Sequence, residues 1–344
     1  NGKTSMMDMA NAALAGGVTM VLAMPNTRPP IFDAATLDLA LEAARQKARC
    51  DYAQFLGAGP ANADWGRHKA LPPRAAGLKM YLDSTFGELR LDSMTIWQEH
   101  FRTWPKHLPI VAHSESRSMA AVILMAAIYD RPVHIAHVSL KEEILLIKAA
   151  RERGIKVTCE VAPHHLFLTQ DDIPSIVGAG LVPARVGRGD VRPRLAAKED
   201  VDALWANLDV IDCFATDHAP HTLAEKDGDN PPPGFPGLET ILPLLLTAVG
   251  DGRLTVGDII GRMVTNPRRI FNLPEQPETW VEVDENAAYE IHAAEMHSRC
   301  GWTPFEGRQV KGRVRRVVLR GQDAFRDGKI LARPGLGQNI RLLS

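Results

Sequence analysis

Seven short apolar runs, alternating with longer segments of helical periodicity, constrain the fold of this chain more than any other feature. The runs are VTMVLAM (18–24), DYAQFLG (51–57), GLKMYL (77–82), PIVAH (109–113), VHIAH (133–137), VTCEVA (157–162) and VIDCFATD (210–217). Between them lie amphipathic stretches such as ATLDLALEAARQKA, SMAAVILMAAIYD and KEEILLIKAARERG, the last ending in a glycine suited to a helix C-terminus. Strand and helix repeated on this scale predict a parallel sheet, and so many units favour a closed (β/α)8 TIM barrel over an open doubly wound sheet. A GxGxxG loop after the first run would argue for the open sheet, and there is none.

Beyond the last run, LETILPLLLTAV and VGDIIGRMVTNPRRIFNL read as helices, and from about Trp280 the texture changes. WVEVD, AYEIHA, VRRVVLRGQDAF and KILARP are short, alternating and separated by Gly, Pro and Asp, the pattern of a small β appendage. A length of 344 residues fits one large unit with a small one attached, so the expectation is an α/β barrel over 1–275 and a β appendage over 276–344. Two Pro/Gly-rich stretches, GAGLVPARVGRGDVRP (178–193) and AEKDGDNPPPGFPG (224–237), each follow a barrel strand and would lie over the catalytic face.

Composition narrows the partners. With 40 basic against 41 acidic residues the net charge is −1, which draws the chain neither to nucleic acid nor to an anionic membrane and points to a small-molecule ligand. Cys50, Cys159, Cys213 and Cys300 show no paired spacing, which suits a reducing compartment, and the expected location is the cytoplasm. LPLLLTAV, after Glu239-Thr240-Ile241, is too short to span a bilayer. The chain begins with Asn1 rather than Met, and its first residue is expected not to be the natural start.

Several runs end in a potential ligand or base: Asn26 after VLAMP, Lys79 inside GLKMYL, His113, His137, Glu160 and Asp217. Barrel enzymes carry their reactive groups at the C-terminal ends of different strands. Taken singly each residue has a plainer reading, since a strand-end histidine is more often structural and Asp217 ahead of Pro220 can cap a turn. Lys79 is the sharpest signal. Period-2 alternation puts Leu78, Met80 and Leu82 on one face and Lys79 with Tyr81 on the other, inside the barrel, where an unpaired ammonium is costly. Either an inward carboxylate neutralises it or the amine becomes a carbamate bridging two metal ions.

Here the motifs reach a family. MPNTRPP (24–30), GLKMYL with STFGELRL (77–91), VAHSE, HIAHVS, CEVAPHHLFL, ATDHAPH and PPPGFPGLET together resemble dihydroorotase, a member of the amidohydrolase superfamily, from about Ala12 to the C-terminus. The resemblance is to the form fused with carbamoyl-phosphate synthetase and aspartate carbamoyltransferase. It implies reversible cyclisation of N-carbamoyl-L-aspartate to L-dihydroorotate, in de novo pyrimidine biosynthesis, at a zinc pair bridged by a carboxylated lysine. By that resemblance Lys79 is the bridging lysine, His113 and His137 hold one zinc, and Asp217 is a ligand of the other and the general acid/base. Asn26, Arg192 and His221 are implied substrate contacts, with Thr85 and Phe86 on a loop that closes over the substrate. Ala136 stands where close relatives carry a cysteine that joins Glu160 at an extra zinc, so Glu160 is the remaining metal candidate. His218 is left open, with a structural role as its plainer reading, and His164 and His165 are expected to be structural. The two other synthetase and transferase domains are the implied partners in one polypeptide, and relatives of this kind form homodimers.

One departure is large. The family's first barrel strand ends in His-x-His followed by Arg-Glu-Pro, and this chain has no such motif; its His-x-x-His spacings, His134 to His137 and His218 to His221, lie elsewhere. Seven strand candidates for eight strands lead to the same expectation, two unpaired sheet edges. The chain is read either as an N-terminal truncation of an active dihydroorotase or as a domain that has lost catalysis and serves as a scaffold. Retained downstream ligands favour the first. In both cases the polypeptide as it stands is expected to be inactive or nearly so. A hydantoinase-type ring hydrolase shares the barrel and its metal logic, but not the paired ATDHAPH and PPPGFPGLET motifs.

Overall fold

The computed structural model describes residues 6–85, 87–178 and 183–342. All seven apolar runs form parallel strand: β1 (Met20–Ala23), β2 (Asp51–Gln54) with β3 (Leu56–Gly57), β4 (Leu78–Tyr81), β5 (Ile110–His113), β6 (Val133–Ile135), β7 (Val157–Val161) and β8 (Cys213–Phe214). DYAQFLG divides at Phe55. Its first half pairs with β1 and its second with β4, so the strands line up in chain order across the sheet. The expected helices follow, among them Ala34–Lys47, Arg117–Ile128 and Lys141–Glu152. The last of these stops at Gly154, whose φ of 76° is the left-handed turn that a glycine adopts freely.

Among the described residues β1 has β2 and β8 has β7 as its one strand neighbour, so the sheet has the two edges that the sequence predicts. Burial follows this geometry. Every residue of β2 to β6 is buried, while all four of β1 are only half-buried. The main apolar core lies between the strands and their outer helices and includes Leu56, Leu78, Met80, Ile110, Ile135, Ile144 and Leu204.

The appendage is an antiparallel sheet in the order β12–β11–β10–β9, with β9 at Trp280–Glu290, β10 at Gln309–Leu319, β11 at Gln322–Arg326 and β12 at Lys329–Ile330. WVEVD and AYEIHA join into one strand instead of two. The helix Met6–Ala15 packs Leu14 into a second core with Val314, Val317, Leu319 and Phe325 of the appendage. Asp51, fully buried, accepts from Arg320 of the appendage and from the Gln338 amide, which ties the two regions together. The chain then turns back: Tyr52 N donates to Gln338 O at 2.9 Å, and Arg341 donates to Ala76 O and Phe271 O. Residues 338–342 therefore lie against the barrel and not within the β appendage.

Candidate active site

β4, β5, β6 and β7 deliver their last side chains to one end of the sheet. Lys79 is 3% exposed and Tyr81 equally enclosed, and the ammonium lies 5.3 Å from the centre of the Tyr81 ring. The shared face expected from period-2 alternation is thus present. Burial lowers the Lys79 pKa to about 8 against the opposing pull of the Glu160 and Asp217 charges. Those two carboxylates face Lys79 from β7 and from the segment after β8. Burial in turn raises the Tyr81 phenol well above its ordinary range, helped by the Asp217 charge.

His113, the last residue of β5, and His137, two residues beyond β6, bring Nδ1 and Nε2 within 2.8 Å of each other. Burial lowers the pKa of both rings, and for His137 the His113 and Lys79 charges add to the effect, so both are neutral near pH 7. His113 Nε2 lies 3.5 Å from Glu115 Oε1. Two neutral imidazole nitrogens this close share one proton in a hydrogen bond or direct both lone pairs at one cation.

Asp217 and His137 share a backbone signature: φ is 41° at Asp217 and 38° at His137, the left-handed region that non-glycine residues rarely enter. Such conformations concentrate where the surrounding structure imposes them for function. Asp217 Oδ2 lies 3.7 Å from His164 Nε2, and the Asp217 side chain retains 31% exposure. Its recessed position raises its pKa, outweighing Lys79; solvent at the exposed edge screens part of that effect.

The remaining predicted residues have partners of their own. Glu160 Oε2 accepts from His134 Nε2 at 3.1 Å, and Thr158 Oγ1 lies 2.9 Å from the other ring nitrogen. Asn26 and Thr85 line one cleft of about 400 Å³ together with Arg28, Glu88 and Pro233 of the PPPGFPG loop. Phe86 lies outside the described residues. Arg192 pairs with Asp190 and also donates to Val191 O. His221 is buried beside His218 and the loop glycine Gly234.

His218, left open by the sequence, accepts the amides of Gly237 and Leu238 on Nδ1 at 3.1 and 3.3 Å, so it holds the PPPGFPG loop against the strand end. His165 Nε2 bonds Pro193 O at 3.1 Å, and His164 stacks edge-on against Phe235. Sequence reasoning placed Tyr81 beside Lys79 but gave it no role, and it missed Glu115 and His134 as neighbours of the site. The GLKMYL alternation carried the signal for Tyr81, while Glu115 and His134 take their places through contacts that no local spacing reveals.

For a metal, the donor chemistry fits in part. The His113 and His137 nitrogens are donors of the kind that zinc takes, and Lys79 would add an oxygen ligand only as a carbamate. Among the described residues no three His, Cys, Asp or Glu side chains converge on one point, so a second ion would have only the carbamate and Asp217.

No family model matches the chain. A multifunctional protein, CAD of Squalus acanthias, is 56% identical over 99% of this chain, which spans only 15% of that relative. The inactive dihydroorotase-like domain of the Chaetomium thermophilum CAD-like multifunctional protein superposes with a TM-score of 0.80 at 30% identity, over 97% of this chain and 92% of that one. The dihydroorotase of Pyrococcus furiosus is 34% identical over 96% of this chain and 79% of its own length. Relatedness over 79% of a dihydroorotase at 34% identity, on a parallel α/β barrel with a β appendage, places this chain in the dihydroorotase family of amidohydrolases.

Proposed function

We propose that this chain carries the site for reversible ring closure of N-carbamoyl-L-aspartate to L-dihydroorotate. The observation that carries the proposal is the burial of Lys79 opposite Glu160 and Asp217, beside the close His113 and His137 pair. Lys79 as a carbamate, His113 and His137 would hold one zinc, with Asp217 at a second; bound zinc would supply Lewis acidity and make water acidic enough to ionise near neutral pH.

The chain's own residues do the rest. In the hydrolytic direction Asp217 accepts the proton of the attacking water and returns it to the ring nitrogen as the C–N bond breaks. Its raised pKa brings it toward the working pH, where a proton is both taken and given readily. Arg192, His221 and Asn26 contact the substrate, and Thr85, which shares a cleft with Asn26 and Pro233, lies on the loop that closes over it. The fused carbamoyl-phosphate synthetase and aspartate carbamoyltransferase domains supply its substrate within one cytoplasmic polypeptide, and the domain pairs as a homodimer.

A second reading has its own support. The likeness to an inactive dihydroorotase-like domain, and the lack of a three-ligand cluster among the described residues, fit a domain kept as a scaffold. Zinc content and dihydroorotate turnover, measured on this chain and on the full-length natural protein, separate the two. This chain is expected to hold one zinc at most and to turn nothing over. Two zinc ions with turnover in the full-length protein support the enzyme, whereas a folded, zinc-free and silent full-length protein would establish the scaffold.

A further inference from the structure

Lys226 closes the short helix Leu223–Lys226, five residues after His221, and is fully buried. Its Nζ donates to three backbone carbonyls: Asp190 O at 2.8 Å, Pro232 O at 2.9 Å and Gly234 O at 3.2 Å. An ammonium has three N–H donors, and all three are used. The rings of Phe235 and Trp302 lie 5.7 and 5.5 Å from the same nitrogen, near enough for their negative faces to offset part of the desolvation. Burying a cation that bonds carbonyls alone is costly even with the Asp190 charge nearby, and nothing about a one-turn helix requires it.

The carbonyls identify what the cation joins. Asp190 O is two residues from Arg192, while Pro232 and Gly234 belong to the PPPGFPG loop; Lys226 itself continues the segment that carries His221. These segments also touch directly. Gly234 N donates to Asp190 O at 3.0 Å, and Ala219 N to Phe235 O at 2.9 Å. A Cβ on Gly187 would lie 2.3 Å from Lys226 O, and one on Gly234 2.3 Å from the Ala219 Cβ, so the backbones approach as closely as glycine allows. Trp302 of the appendage region adds a bond from Nε1 to His221 O at 2.9 Å.

We propose that Lys226 is a positioning residue whose three-carbonyl clasp locks the Arg192 segment, the His221 segment and the PPPGFPG loop into one preassembled anion-binding wall for the substrate carboxylate. The inference rests on the reading of Arg192 and His221 as substrate contacts. Burial lowers the Lys226 pKa to about 8, yet the ammonium form remains the one that satisfies three carbonyls.

The test uses full-length protein with Lys226→Met, which matches the side chain's length and removes every donor. Hydrogen exchange of amides in 187–192 and 232–237 is expected to accelerate about tenfold, while exchange in β5 to β7 and the zinc content stay unchanged. The KM for L-dihydroorotate is expected to rise about tenfold with kcat altered less than about threefold. Unchanged loop exchange would overturn the clasp, and so would accelerated exchange with an unmoved KM in an active enzyme. A wild-type protein that binds no zinc and turns nothing over would sink the functional reading instead, and loop exchange would then decide the clasp alone. Should the methionine variant not fold, Lys226→Gln, which keeps two N–H donors, is expected to give a smaller acceleration in the same loops, and no acceleration overturns the proposal.

Discussion

His113 Nδ1 and His137 Nε2 stand 2.8 Å apart at the ends of neighbouring strands, both rings held neutral by burial. Zinc competes with protons for imidazole lone pairs, so a pair already neutral in the folded chain is primed for the metal. We expect His137→Ala to weaken zinc binding by more than the roughly 10- to 100-fold seen on loss of an outer ligand partner. Competition against a chromophoric chelator measures this; an unchanged affinity would show that the pair is a hydrogen bond and nothing more.

Lys79 faces the opposite demand. Its amine is buried where charge is disfavoured, and its pKa is lowered to about 8 in consequence. Lys79→Met should therefore leave stability unchanged or raise it by about 1–2 kcal/mol, as replacement of buried charge by apolar volume often does. Turnover by the full-length protein should vanish at the same time. A marked loss of stability in urea titration would mean that Lys79 serves the fold, through Glu160 and Asp217, rather than catalysis.

How much of this site is legible in the sequence depends on the range of the interaction concerned. The strand runs and the inward face of Lys79 can be read because period-2 burial is local chemistry. The family motifs then locate His113, His137 and Asp217 at strand ends. Contacts between segments far apart in sequence are not legible: Glu160 with His134, the return of Gln338 to Tyr52, and the carbonyl cage of Lys226, which in sequence is one more charged residue in AEKDGDN. The break of DYAQFLG at Phe55 has the same origin, because each half answers to a different neighbouring strand.

Gly237 shows how tightly the PPPGFPG loop meets the strand end. A Cβ there would lie 2.5 Å from Thr216 O, one residue before Asp217, and a backbone oxygen cannot swing aside as a side chain would. Gly237→Ala is expected to cost about 2–4 kcal/mol through overpacking and loss of the His218 bonds to the loop. Urea unfolding gives the number. A loss within about 0.5 kcal/mol, the range of an ordinary surface change, would mean that the loop moves away from Thr216 at little cost.

A last prediction concerns pH and lies away from the catalytic face. Trp65 Nε1 donates to His100 Nδ1 at 2.9 Å, and His100 Nε2 lies 3.1 Å from Gly59 O. An indole N–H can only donate, so Nδ1 must accept and Nε2 must carry the proton toward Gly59. A second proton would break the tryptophan bond, and burial lowers the His100 pKa from 6.5 to about 4. As pH falls, the unfolded chain takes up this proton first. The contribution is therefore fully present above the ordinary histidine value and is lost as pH falls through the folded value, by on the order of 3 kcal/mol in all. His100→Asn keeps an acceptor for Trp65 and removes the titration. The stability gap between wild type and this variant should thus narrow by about 2 kcal/mol from pH ~7.5 to pH ~4.5. A gap that does not change with pH would mean that folding leaves the His100 pKa at its ordinary value and that the ring is not held neutral by its burial beside Trp65.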